Sequence, residues 1–161
     1  MIELTIKAIW LVKQWLKGTT MKANEQQVGG EHYRKHNPDY QHWDWVVNVD
    51  MHYLLAASSK YLCRWRDKGT PLEDLRKAAH YLDKMIEVCP MVVRNRMNMD
   101  MDWCVSETNR FLDLNKIPNS EAYICIKFAT WRSRSTLEQA RLSLAVLIED
   151  YHNNESIAVA E

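Results

Sequence analysis

The sequence predicts an all-α protein, a compact bundle of about five to six helices built around helical hairpins. Helix breakers are scarce, because the 161-residue chain holds only four glycines and four prolines. Apolar residues recur at helical spacing in several segments, and residues typical of helix ends flank these segments. The length suits a single domain over residues 1–161, long enough to bury a sizeable core.

The first half of the chain divides into predicted helices and one polar loop. Apolar positions repeat every three to four residues in each helix, whereas the loop is rich in polar residues and glycine. We expect a helix over 2–17 that ends at Gly18, a loop over 18–38, a short aromatic helix over 40–47, and a helix from an Asp50 N-cap to about Arg66.

A tight turn separates that last helix from the next one. Gly69 suits a left-handed C-cap. Thr70 is a predicted N-cap, Pro71 fits the first helical position, and Glu73 completes a capping box. The sequence therefore predicts a helical hairpin around residues 67–70.

The second half contains a weaker copy of this pattern. The pairs Lys60-Tyr61 and Trp65-Arg66 resemble Lys127-Phe128 and Trp131-Arg132, so residues 90–152 are interpreted as C-terminal helices that weakly repeat the hairpin. Proline is expected to end helices. We expect the helix from Pro71 to end near Val88, before Pro90, and a connector to follow over 91–98. The next helix is expected over 99–114, before the break at Pro118. Two further helices are expected, one from a Ser120 cap to about Arg132 and one from a Ser135 and Glu138 capping box to about Tyr151.

The predicted hairpin is basic, although the whole chain carries no net charge, with 21 basic and 21 acidic residues. Its cations are Lys60, Arg64, Arg66, Lys68, Arg76 and Lys77, and its acids are Asp67, Glu73 and Asp74. A basic cluster in a neutral chain favours a site for an anion. The overall balance argues against an extended nucleic-acid surface.

Spacing suggests how the hairpin would hold a phosphate. Lys60 and Arg64 lie four residues apart and share a helix face. Lys77 would approach them from the second helix, whose N-terminus adds unpaired amides and a positive dipole end. Aromatic side chains at Tyr61, Trp65 and Tyr81 would stack a base. The alternative is that Lys60, Arg64 and Lys77 form ordinary ion pairs with Glu73, Asp74 and Asp83.

Several other site types are not indicated. The sequence lacks a P-loop and a dinucleotide-binding glycine motif. It also has no carboxylate-and-histidine spacing such as His-Glu-x-x-His, so we predict no metal site. The four cysteines form no Cys-x-x-Cys pair; Cys63 and Cys125 are expected to be reduced, buried thiols within helices. No secretory signal is recognised. No segment approaches the roughly 18 apolar residues of a membrane span.

Seven tryptophans favour a homo-oligomer, because one subunit is not expected to bury them all.

Three motifs within residues 27–88 occur in a recognisable order. They are Val-Gly-Gly-Glu-His-Tyr at 28–33, Lys-Tyr-x-x-Arg at 60–64, and Leu-Glu-Asp-Leu-x-Lys-Ala-x-x-Tyr-Leu at 72–82. This order resembles a family of small tailed-bacteriophage proteins known as phage nucleotide kinases. The chain departs from the family pattern at Ala56-Ala57, where a Gly-Asn pair is usual.

The resemblance implies a nucleoside monophosphate kinase without a P-loop, acting in the cytoplasm of an infected bacterial host. Lys60, Arg64 and Lys77 would neutralise the transferring phosphoryl group, and Asp74 would hold a metal or orient the acceptor. ATP would be the phosphate donor, accompanied by Mg²⁺, for which the sequence shows no motif. The implied substrate-binding residues are His32, Tyr33, Tyr61, Lys68 and Tyr81.

Two alternatives remain open at this point. The first is a catalytically silent nucleotide-binding protein, such as a phage factor that sequesters a nucleotide signal or inhibits a host enzyme. The substitution at Ala56-Ala57 favours this alternative. The second is an all-α nucleoside triphosphate pyrophosphohydrolase, which ranks lower because the chain has no Glu-x-x-Glu pair for Mg²⁺.

Overall fold

The computed structural model describes residue 24 and residues 37–96 and 99–158. Within these ranges the chain forms six α-helices and no β-strand, which confirms the predicted all-α fold. The predicted helix over 2–17 and the binding residues His32 and Tyr33 lie outside the described residues. The helices are α1 His42–Asn48, α2 Tyr53–Arg64, α3 Pro71–Arg96, α4 Met101–Asn115, α5 Asn119–Thr130 and α6 Arg134–Ala158.

Two helical hairpins form the centre of the bundle. Helices α2 and α3 pack together as the first hairpin, and α5 and α6 pack together as the second. The hairpins lie against each other, because α3 contacts α6 and α2 contacts α5. Helix α4 packs on α5 and carries α1 on its other side. The buried apolar side chains join into one core cluster that draws on all six helices.

The start of α2 differs from the prediction. Asp50 is not its N-cap; the residue has a φ of 44° and closes the turn after α1. Asp tolerates this left-handed conformation better than most side chains. The cap is His52, whose Nδ1 accepts a hydrogen bond from the Leu54 amide at 3.3 Å. The helix therefore begins two residues later than a cap at Asp50 would set it.

The turn between α2 and α3 was predicted correctly in its position but not in its mechanism. Helix α2 ends at Arg64 rather than Arg66, and its C-cap, Trp65, keeps right-handed helical angles. No left-handed φ occurs at Gly69, so the predicted glycine C-cap is wrong. Helix α3 begins at Pro71 as expected, and the Thr70 carbonyl accepts its first hydrogen bond from the Asp74 amide at 3.1 Å.

Proline does not end α3. The helix continues past Pro90 to Arg96, so the predicted end near Val88 and the connector over 91–98 are wrong. A proline inside a helix has no amide hydrogen to donate, so one backbone hydrogen bond of the helix is lost. Packing of α3 against both α2 and α6 offsets this loss, because most helix stability in proteins comes from the buried face.

The last three helices begin close to the predicted positions. Asp100 caps α4 by accepting a hydrogen bond from the Trp103 amide at 3.1 Å. Helix α5 starts directly after Pro118, not at a Ser120 cap, and ends at Thr130. The cap of α6 is Ser133, whose Oγ accepts from the Thr136 amide at 3.3 Å, in place of the predicted Ser135.

Candidate functional site

A buried ion pair closes the α2–α3 hairpin. The Arg64 Nε donates to Asp74 Oδ2 at 3.0 Å, and its Nη2 donates to Oδ1 at 3.4 Å. Arg64 lies in the last turn of α2 and Asp74 in the first turn of α3, so the tight turn brings them face to face. The Asp74 side chain is fully buried, and Lys68 Nζ approaches Oδ1 to 4.0 Å. Two cations therefore neutralise one enclosed carboxylate.

Tyr61 is the centre of an aromatic and cationic cluster beside this pair. Its ring stacks on that of Tyr81 with centroids 5.8 Å apart and planes 15° apart. The Arg64 guanidinium carbon lies 4.5 Å from the Tyr61 centroid, and Lys77 Nζ lies 5.8 Å from it. Tyr53 meets the edge of Tyr81 at 6.5 Å and is 71% exposed. Tyr61 and Tyr81 are half-buried, so solvent reaches the cluster.

Lys77 stands at the open side of the cluster. Its Nζ donates to Glu73 Oε1 at 2.5 Å one turn earlier on α3, and both side chains are about half exposed. This hydrogen bond raises the pKa of Lys77 and lowers the pKa of Glu73. Lys60 lies on the exposed part of α2, one turn before Arg64.

The structure thus gathers most of the predicted site residues that it describes. Tyr61, Arg64, Lys77 and Tyr81 make direct contacts, and Asp74 joins them through Arg64. The alternative of ordinary ion pairs also holds in part, since Arg64 pairs with Asp74 and Lys77 pairs with Glu73. The third acid of that alternative, Asp83, instead pairs with Arg141 of α6 at 2.7 Å.

Asp74 is a poor candidate for a metal ligand. Its carboxylate is enclosed and its charge is already balanced by Arg64, so it offers a divalent cation neither access nor net negative charge. Across the part of the chain that the structure describes, no group of three or more His, Cys, Asp or Glu side chains is arranged to hold a metal ion.

Sequence analysis missed a second polar cluster, between α4 and the segment before α1. The Tyr40 hydroxyl donates to Glu107 Oε2 at 2.5 Å, and Asn48 Nδ2 donates to the same oxygen at 3.0 Å. Burial, followed by the hydrogen bond to Glu107, raises the pKa of Tyr40 to about 12, and that hydrogen bond lowers the pKa of Glu107. The signal was present in the sequence: Glu107 lies three residues after Cys104 and four before Phe111, on the apolar face of its helix.

Glu121 is a further buried acid that spacing alone did not identify as important. It is 1% exposed and accepts hydrogen bonds from Trp65 Nε1 at 2.8 Å and Arg66 Nε at 2.9 Å. The contact ties the end of α2 to the start of α5. It lies at the wall of a cavity of about 230 Å³ between the α2–α3 and α4–α5 connections, which Cys63 and Lys116 also line.

Comparisons with protein-family models, curated proteins and solved structures find no significant match to this chain. The resemblance to phage nucleotide kinases stays a prediction from the motifs. None of the helices in the described residues is both long enough and apolar enough to cross a bilayer.

Proposed function

We propose that this protein binds a nucleotide on the α2–α3 hairpin and does not transfer its phosphate. The supporting observation is the Tyr61 cluster, where two stacked tyrosines and the Lys77 ammonium meet on a solvent-accessible face. A nucleotide needs an aromatic surface for its base and a cation for its phosphate, and this face supplies both.

The tyrosines suit the base. Aromatic side chains stack nucleobases without requiring a particular base, and such stacking contributes about 1 to 3 kcal/mol per base. Tyr53 is exposed and lies at the edge of Tyr81, so it extends the aromatic surface.

Lys77 suits the phosphate because its present partner is easily displaced. The Lys77–Glu73 pair lies at the surface, with side chains 42% and 56% exposed. Exposed pairs of this kind contribute little free energy, about 0 to 1 kcal/mol. A phosphate can therefore replace Glu73 at small cost. In this proposal Lys60, exposed on α2, adds a second positive charge.

The buried ion pair argues against phosphoryl transfer. Arg64 and Asp74 are two of the four predicted catalytic residues, and they already pair with each other in the folded protein. Separating a buried pair leaves an uncompensated charge, at a cost of about 3 to 5 kcal/mol. We infer that Arg64 and Asp74 hold the hairpin closed and position Tyr61, while Lys77 contacts the ligand. This proposal agrees with the departure from the family at Ala56-Ala57.

A nucleoside monophosphate kinase is the second candidate. The convergence of Arg64, Asp74 and Lys77 around Tyr61 favours it. In that case ATP would supply the phosphate and Mg²⁺ would enter with ATP, since Asp74 does not suit a metal ligand. Both candidates suit a phage protein in the cytoplasm of its bacterial host.

The test measures nucleotide binding by calorimetry and by the shift in melting temperature, using the full-length protein and each common nucleoside monophosphate. We expect one or more nucleotides to bind and to raise Tm. Lys77→Ala should weaken binding roughly tenfold or more, because it removes a charge-assisted hydrogen bond. Lys84→Ala is the matched control, since Lys84 lies on the same helix in an exposed pair with Glu87 at 2.6 Å.

The outcomes separate the candidates. Equal losses in Lys77→Ala and Lys84→Ala, or no binding of any nucleotide, would overturn the proposed site. A diphosphate product formed with ATP and Mg²⁺ would establish the kinase instead, and release of pyrophosphate from a triphosphate would establish a pyrophosphohydrolase. Binding without any product supports our proposal.

We also propose that the chain self-associates, as its tryptophan content predicts. Trp43 and Trp103 are 47% and 51% exposed, whereas Trp45, Trp65 and Trp131 are buried. Exposed tryptophans are enriched at protein interfaces. Sedimentation velocity across a range of concentrations tests this, and a constant monomer mass would refute it.

A further inference from the structure

Two of the four cysteines face each other across the two hairpins. Cys63 lies in the last turn of α2, and Cys125 lies in the middle of α5. Their sulfur atoms are 4.0 Å apart, although the residues are 62 positions apart in sequence. Neither the proposed nucleotide site nor the sequence motifs use this pair.

The two thiols have different surroundings. Cys125 is fully buried, whereas Cys63 is only partly buried and lines the cavity of about 230 Å³ between the α2–α3 and α4–α5 connections. The hydrogen bond with Cys63, together with burial, raises the pKa of the Cys125 thiol well above its usual range. Cys125 therefore stays protonated while the cavity gives a small reagent access to Cys63.

We infer that Cys63 and Cys125 form an oxidation-sensitive dithiol, in which Cys63 reacts with a hydroperoxide and Cys125 then closes a disulfide between α2 and α5. A disulfide requires the sulfurs to approach to about 2.05 Å. From 4.0 Å this is a closure of about 2 Å, within reach of side-chain rotation and a small adjustment of the helices.

The reaction takes place in two balanced steps. The Cys63 thiolate attacks one peroxide oxygen, the O–O bond breaks, and the leaving oxygen takes up a proton to form an alcohol or water, so that Cys63 becomes a sulfenic acid. The Cys125 sulfur then attacks the Cys63 sulfur, the S–O bond breaks, and the hydroxide leaves as water with the Cys125 proton. The two thiols lose two electrons in total, and the hydroperoxide accepts both.

Formation of the disulfide between Cys63 and Cys125 would change how the two hairpins are held together. The disulfide would covalently join the first hairpin to the second, at the turn of α2 that also carries Arg64. Unlike Cys63, Cys89 and Cys104 are both buried, so they serve as internal controls for unspecific oxidation.

The test exposes the full-length folded protein to a mild excess of hydrogen peroxide, then counts thiols after denaturation and maps disulfides by mass spectrometry. We expect two of the four thiols to disappear, with a disulfide joining the Cys63 and Cys125 peptides. Cys104→Ala should leave this product unchanged, whereas Cys63→Ser and Cys125→Ala should each abolish it.

A trapping experiment distinguishes a reactive pair from two packed thiols. In Cys125→Ala the sulfenic acid has no resolving partner, so dimedone should label Cys63 in this variant and label it far less in the unmodified chain. The inference is overturned if all four thiols persist under peroxide, if the disulfide joins two molecules or involves Cys89 or Cys104, or if dimedone does not label Cys63 in Cys125→Ala.

Discussion

The two hairpins, α2–α3 and α5–α6, both place a Trp-Arg pair after their first helix, yet they bury different kinds of side chain. In the second hairpin Phe128 and Trp131 are both fully buried, and Trp131 turns the chain into an extended conformation. In the first, Trp65 continues the helical conformation and Tyr61 stays half-buried. The second hairpin is closed by apolar packing.

The two hairpins also differ in how deeply they bury a charged pair. The first hairpin encloses the Arg64–Asp74 pair, whereas the charged pair at the start of α6, Arg134–Glu138, has side chains 57% and 50% exposed. Replacing a buried ion pair by apolar residues often leaves a protein equally or more stable. Stability alone therefore does not require that the pair between Arg64 and Asp74 in the first hairpin be charged.

The largest expected difference between the hairpins concerns their aromatic residues. Phe128→Ala should lower the free energy of unfolding by about 3 to 5 kcal/mol, because it removes a fully buried ring and leaves a cavity. Tyr61→Ala should cost only about 1 to 2 kcal/mol, since its ring is half-buried. Urea unfolding measures both values; equal losses would contradict the contrast drawn between the hairpins.

The buried ion pair gives the next effect. Asp74→Ala should destabilise the protein by about 3 kcal/mol, because it removes one partner of a buried ion pair. Glu138→Ala should change stability by less than about 0.5 kcal/mol, as is usual for an exposed pair. The double variant Arg64→Met, Asp74→Leu should regain most of the loss in the same unfolding assay. If it stays as unstable as Asp74→Ala, the pair contributes to stability in its own right.

A buried carboxylate outside both hairpins provides a comparison, because Glu107 is held mainly by the Tyr40 hydroxyl at 2.5 Å, while its cationic partner Arg110 lies farther away, at 3.6 Å. The pKa of Tyr40 is raised from 10.0 to about 12, so its neutral form is favoured in the folded protein. This stabilisation is complete below pH 10 and is lost as the pH rises from 10 to 12, about 2 to 3 kcal/mol in all. The free energy of unfolding of Tyr40→Phe, measured across that window, should fall less steeply than that of the unmodified chain. Parallel curves would refute the assignment.

The smallest effect concerns the contact between the hairpins at the surface. Arg141 Nε and Nη2 donate to the two Asp83 oxygens at 2.7 and 3.3 Å, joining α6 to α3. A double-mutant cycle with Asp83→Ala and Arg141→Ala should give a coupling energy of about 0.5 kcal/mol. The coupling should weaken further in about 1 M salt, which screens exposed charges. A coupling above about 2 kcal/mol would mean that this surface pair organises the hairpin interface.

Local signals predicted the starts of the six described helices to within about two residues, and most of their ends, but not the ends of α3 and α6. Pro71 marked the start of α3, because a proline in the first turn acts on the residues next to it. Pro90 led to a wrong prediction of where α3 ends, and Gly69 to a wrong prediction of a glycine C-cap. Whether a helix continues through a proline depends on what packs against it, and neighbours in space are not visible in the sequence.

The sequence predicted which residues lie in the candidate site, but not how each of them is oriented. Spacing placed Lys60 and Arg64 on one face of α2, and it selected Tyr61, Lys77 and Tyr81 as neighbours of the turn. It did not show that Arg64 faces inward, because an arginine can reach solvent or a buried acid from the same backbone position. The burial of Asp74 decided between those outcomes.

The sequence by itself determined the helical class, the position of the hairpin turn, and the set of aromatic and basic residues around it. These follow from interactions between residues within about four positions of each other. Only the tertiary structure decided which charges are neutralised, which tyrosine faces solvent, and that Cys63 meets Cys125. Such properties depend on contacts between residues far apart in the chain, as the 62 positions between those two cysteines illustrate.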